Sequence, residues 1–147
     1  MELIELYEKL LSEGCNHFYI EGIGGPFPSD VDCLYEYNGN WEICYTERGQ
    51  KSEPIYSSPN KEEAIQYYYD HIMRMEHWHL VVFTRSYKIF KSYKDQLEGL
   101  GIRVIQNDIP AYSEKNDRVY RLFVVNKSIF KAKEKFENLP YFDPDIK

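Results

Sequence analysis

A chain of 147 residues with 43% hydrophobic and 29% charged residues has the size and composition of one globular domain, whose core needs neither metals nor disulfides. Its net charge of −6 argues against direct nucleic-acid binding, which requires a basic face to displace counterions. The charge is uneven: residues 1–60 carry 11 acids against 3 bases (Lys9, Arg48, Lys51), a net of −8, and residues 61–147 carry 13 against 15, a net of +2.

The first stretch, MELIELYEKLL, has no basic n-region, so no signal peptide is expected, and no apolar run reaches membrane-spanning length. Leu3, Leu6, Tyr7, Leu10 and Leu11 recur at helical spacing with acids largely opposite, and Gly14 ends the helix. A short strand is expected over His17–Glu21. The following GIGGPFPSD is a loop, and Pro26 and Pro28 argue against a phosphate cradle, which needs free N–H groups at a helix start.

Asn38-Gly39 predicts a two-residue type I′ hairpin turn. In that register Tyr37 faces Asn40, Glu36 faces Trp41, Tyr35 faces Glu42, Leu34 faces Ile43 and Cys33 faces Cys44. Leu34, Trp41, Ile43 and Tyr45 then form the core face, and Cys33, Tyr35, Tyr37, Glu42 and Cys44 a semi-polar one. Cys33 and Cys44 fall at a wide, hydrogen-bonded pair and are read as free thiols. Arg48-Gly49 makes the next turn, and Lys51–Tyr56 returns as an edge strand containing Pro54.

Ser58 is expected to cap a helix with Pro59 at its first position and Ala64, Ile65, Tyr68, Ile72 and Met75 inward. The run WHLVVFTR reads as a covered strand. Ser86 opens a helix burying Ile89, Phe90, Tyr93, Leu97 and Leu100, and Ile102–Gln106 follows as a strand, making residues 79–106 a βαβ unit. After a polar loop, Val119–Val125 is a strand and Asn126 or Ser128 starts a last helix carrying Ile129, Phe130 and Phe136. In the proline-broken tail, Tyr141 and Phe142 are candidates to pack back on the body.

Three cysteines (Cys15, Cys33, Cys44) form neither an even secreted framework nor a CxxC pair, so the cytoplasm is the default compartment. His77 and His79 share a strand face with His71 six residues before, a pattern able to present two imidazoles to an ion; satisfied histidines at a strand entrance are the preferred reading, with no metal and no cofactor. No G-x-S-x-G elbow or activated cysteine appears. Asp30, Asp32, Glu36 and Glu42 are close in the hairpin region. Paired carboxylates do acid–base chemistry only where their surroundings split their pKa values, and a solvated acidic face is the plainer reading.

The succession Asp32, Tyr35, Asn38, Gly39, Trp41, Ile43, Tyr45, Glu47, Arg48 and Gly49, followed by S-P-N-K-E-E-A, resembles small bacterial immunity proteins of polymorphic toxin systems, including antitoxins to LXG-type toxins. The resemblance covers residues 32–64. It implies a cytoplasmic, non-enzymatic protein that binds one cognate toxin domain, often a nuclease, and holds it inactive. Residue chemistry is compatible with that: acids steer a basic cleft and aromatics anchor it. The candidate partner-binding residues are Asp30, Asp32, Tyr35, Glu36, Tyr37 and Glu42, with no catalytic residue assigned.

The expected fold is a single α+β domain over residues 1–147: an N-terminal helix, an antiparallel β-meander plus helix, then βαββα, sharing one mixed sheet with helices packed on it. The expected function is toxin neutralisation by stoichiometric protein binding. Two rival readings stand beside it: a small metal-dependent or acid–base enzyme using His77/His79 or the acidic hairpin, and a homo-oligomeric scaffold using exposed tyrosines and the edge strand.

Overall fold

The computed structural model describes residues 1–141. The fold is α+β, with the expected order of a helix, a meander with its helix, and then βαββα. The strands do not share one sheet, however. They form a five-stranded mixed sheet and a separate three-stranded antiparallel one. Backbone contacts likewise gather into two compact units, Met1–His77 and Trp78–Lys147.

In the first unit, helix α1 (Leu3–Ser12) starts at a capping box between Glu2 and Glu5 and buries Leu6 and Leu10. Only Tyr19–Ile20 of the expected first strand is extended (β1), and it pairs parallel with β2 (Val31–Tyr37). Antiparallel to β2 runs β3 (Asn40–Glu47), in the register the Asn38-Gly39 turn predicts, down to Cys33 opposite Cys44. Both turn residues have positive φ, 52° and 82°, as a type I′ turn requires. Leu34 and Ile43 are fully buried on one face, as expected, and Trp41 packs there partly buried, but Tyr45 at the end of that face is exposed.

The third strand of the meander is broken in two. Gln50–Lys51 (β4) pairs with Glu47 and Thr46, and Tyr56–Ser58 (β5) pairs with Ile43, Glu42 and Trp41. Two extra residues are accommodated between them, an even number that leaves every side chain on its face. Pro54 sits in this interruption, where its missing N–H costs no ladder bond. The Ser52 hydroxyl accepts the Tyr45 N–H at 3.0 Å there.

Helix α2 (Lys61–Met73) is capped by Asn60 rather than Ser58: the Asn60 side chain accepts the Glu63 N–H at 3.0 Å. Ser58 is instead the last residue of β5, and its hydroxyl accepts the Asn60 N–H. Ala64, Ile65, Tyr68 and Ile72 form the buried stripe, against Leu6 and Leu10 of α1 and Leu34 and Ile43 of the sheet. Tyr68 also fixes the parallel pair, since its hydroxyl accepts the Tyr19 N–H at 3.1 Å and donates to the Asp32 carbonyl.

In the second unit, β6 (Trp78–Thr84) and β7 (Val104–Gln106) both run antiparallel to β8 (Tyr120–Val125), which lies between them. The βαβ crossover over residues 79–106 is therefore split by an inserted strand. Its helix α3 (Tyr87–Gly99) is capped by Ser86 as expected and buries Phe90 and Leu97, while Ile89 turns outward at 43% exposure. Helix α4 (Ser128–Lys135) buries Ile129 and Ala132 and leaves Phe130 outward. In the tail, Leu139 is buried and the Pro140 carbonyl accepts the Phe83 N–H at 2.8 Å, whereas Tyr141 is exposed; Phe142 lies outside the described residues.

Candidate interaction surface on the first sheet

The register of the hairpin divides the six candidate contact residues. Tyr35, Tyr37 and Glu42 share the face of Cys33 and Cys44, whereas Asp32 and Glu36 alternate onto the face of Leu34. Asp32 is committed there: its carboxylate lies 2.6 Å from His71 Nε2 on α2, and the side chain is mostly buried. Asp30 is at the far end of the hairpin from Tyr37, with φ 61° and its N–H on the Thr46 carbonyl at 2.6 Å. Its carboxylate and that of Glu47 help to hold the neighbouring Tyr45 hydroxyl above the ordinary tyrosine range, after partial burial.

The other four candidates come together. Tyr35, Tyr37 and Glu42 line an open hollow of about 510 Å³ with Glu21, Lys51 and Pro54, and Glu36 borders it from the strand between the two tyrosines, its side chain alternating to the other face. Tyr37 stands 62% exposed, while Tyr35 is only 8% exposed and forms the floor. The Tyr35 hydroxyl donates to Glu42 Oε1 at 2.9 Å, and burial and that carboxylate push the phenol well up. Lys51 reaches across the sheet, its ammonium 3.9 Å above the Tyr35 ring and 2.9 Å from Glu21 Oε2. Partial desolvation works against its charge, but the hydrogen bond and charge of Glu21 outweigh it and hold the lysine more firmly protonated than usual. Glu21 and Glu42 against the single Lys51 leave the hollow acidic.

Under this strap lie Cys33 and Cys44, buried with Tyr35 and packed on Tyr19. Both are free, and burial, followed by the neighbouring Cys44, pushes the Cys33 thiol up to about 11. A thiol so protonated is a poor nucleophile, and with Cys44 and Tyr35 it forms a small buried cluster under the lysine. Glu21 and Lys51 were not legible as site residues. Their meeting depends on the parallel pairing of β1 with β2, and no local pattern encodes that.

His77 is fully engaged. Its Nδ1 accepts the N–H groups of Asn16 and His17, both at 3.1 Å, and its Nε2 lies 2.9 Å from the Ile72 carbonyl. Amides only donate and carbonyls only accept, so the ring is the neutral Nε2–H tautomer with neither nitrogen open to a metal. Among the described residues, no group of three or more His, Cys, Asp or Glu is arranged to hold a metal ion. Among them, too, no helix is long and apolar enough to cross a membrane. In the second unit the best-built polar group is structural in form: Arg85 clamps Asp117 through Nε and Nη2 at 2.7 and 3.0 Å, and Ser113 donates to the same carboxylate.

Comparison with known protein families, curated proteins and solved structures finds no match to this chain.

Proposed function

We propose that the chain is a cytoplasmic binding protein that takes a basic protein surface on its first sheet, and that its partner is a bacterial toxin domain which it neutralises stoichiometrically, as an immunity protein. One observation carries the binding reading: Glu21 and Glu42 against the single Lys51, beside an exposed Tyr37, in one open hollow. Carboxylates at such a rim speed encounter with a cationic partner, and a tyrosine offers a large, low-entropy anchor. The likeness of residues 32–64 to immunity proteins supplies the class of partner. A nuclease, whose substrate cleft is basic, suits this chemistry best. Neutralisation by occupancy requires no catalytic group and no cofactor.

The test begins at the adjacent reading frame, where a long secreted protein with a variable C-terminal domain is expected. Co-expression of that domain with this chain should rescue growth and yield a stable complex. Glu36→Lys with Glu42→Lys and Tyr37→Ala should abolish rescue while leaving the fold intact by circular dichroism. Absence of both rescue and complex with the wild-type chain rejects the immunity reading for that pair. Rescue that survives the triple substitution moves the interface elsewhere.

A further inference from the structure

We propose that the hollow is a receptor for one guanidinium group, an arginine side chain of the partner, and that Lys51 is its built-in competitor. The proposal rests on the reading above for the partner being a protein, but the chemistry of the hollow stands without it. A cation already sits in the cradle: the Lys51 ammonium lies over the face of Tyr35 at 3.9 Å and against Glu21 at 2.9 Å. Its side chain is 42% exposed and that of Glu21 54%, so the pair is solvent-screened and weak. A cation–π contact in such an open place is weak too. The occupant is therefore displaceable.

Beside it, the hollow offers more than a lysine uses. Glu42 spends Oε1 on the Tyr35 hydroxyl. Among the described residues, its second oxygen has no hydrogen bond or ion pair, and the Tyr37 ring on the same face has no stacking partner. A guanidinium suits this vacancy better than an ammonium, because its planar fork pairs with carboxylates in a fixed geometry while its face stacks on an aromatic ring. The open edge of β2 gives a route in. The alternation of a two-residue hairpin turns the backbone N–H and C=O of Glu36 away from β3, and β1 pairs only as far as Leu34. An extended segment of the partner can bond there while its arginine enters the hollow.

The test uses the full chain, ¹⁵N-labelled, titrated with N-acetyl-arginine amide and, as the neutral isostere, N-acetyl-citrulline amide. The arginine derivative is expected to shift the amides of Tyr35, Glu36, Tyr37, Glu42 and Lys51, and the citrulline derivative to leave them in place. Lys51→Met should tighten arginine binding about three- to tenfold by removing the competitor. Lys51→Arg, which keeps an occupant, should not tighten it, nor should Lys61→Met, which removes a lysine paired with Glu2. Glu42→Gln should weaken it. Equal shifts with citrulline, or a Lys51→Met protein that binds arginine no better, overturn the proposal. Growth rescue without arginine binding discards the receptor and keeps the immunity reading; arginine binding without rescue does the reverse.

Discussion

A histidine held between two amides and a carbonyl has one tautomer open to it, and His77 is in that position with no exposed surface. Its ring closes the polypeptide turn at Asn16–His17 onto the end of α2. His77→Ala removes the acceptor that both amides share and the donor to Ile72, and is expected to cost about 2–4 kcal/mol of stability, read from urea unfolding. His77→Gln, which carries both an acceptor and a donor, should restore part of the loss. A His77→Ala protein as stable as wild type would show that water replaces the ring without penalty. Asp117 ties stability to pH in the other unit. The Arg85 guanidinium and the Ser113 hydroxyl hold its carboxyl well below the ordinary range. A group whose folded pKa is depressed stabilises the fold fully above its unfolded pKa and loses that contribution as pH falls. Wild type should therefore be more stable than Asp117→Asn at neutral pH, with the gap in urea midpoint narrowing below about pH 5. A gap independent of pH would show that the ion pair is not its source.

Turns and close approaches decide which elements form, and the two kinds of glycine in the first sheet separate strain from sterics. Gly49 has φ 77° with open space where a Cβ would point, so Gly49→Ala is purely conformational and should cost about 1–2 kcal/mol. At Gly25 a Cβ would sit 2.2 Å from the Phe18 carbonyl oxygen, a backbone atom that cannot yield without moving β1. Gly25→Ala should cost distinctly more in urea unfolding and broaden the NMR signals of Tyr19 and Ile20. Equal costs would mean the loop relaxes freely. The same contrast explains what the sequence made legible. Asn38-Gly39, Ser86 and the helical stripes act within a few residues, so the hairpin register, the α3 cap and the α2 core stripe could all be read. The parallel β1–β2 pair depends on a loop from Gly22 to Asp30 folding back and on Tyr68, 49 residues from Tyr19, bonding its amide. The insertion of β8 between β6 and β7 is likewise a long-range choice. Half of the candidate surface, Tyr35, Tyr37 and Glu42, follows from alternation alone; Glu21 and Lys51 do not, and Asp32 and Glu36 lie on the opposite face, where Asp32 meets His71.

At the scale of the whole molecule, the two main apolar cores have no residue in common: one is built from Leu6 to Ile72 and the other from Val81 to Leu139. A chain of 77 residues with one such core is near the lower limit of independent stability. Its end point matters, because the last residue of the unit is His77. A fragment of residues 1–77, carrying a short Gly-Ser tail to move the terminal carboxylate away, is expected to unfold cooperatively in urea and to give dispersed amide signals. The fragment 1–76 with the same tail lacks the ring that satisfies Asn16 and His17, and should be less stable by about the 2–4 kcal/mol assigned to His77→Ala. Since the hollow lies wholly within residues 21–54, the 1–77 fragment should also keep the response to N-acetyl-arginine amide. A fragment that stays unfolded would show that the first sheet requires the rest of the chain, and a folded fragment 1–76 of equal stability would remove His77 from the core of that unit.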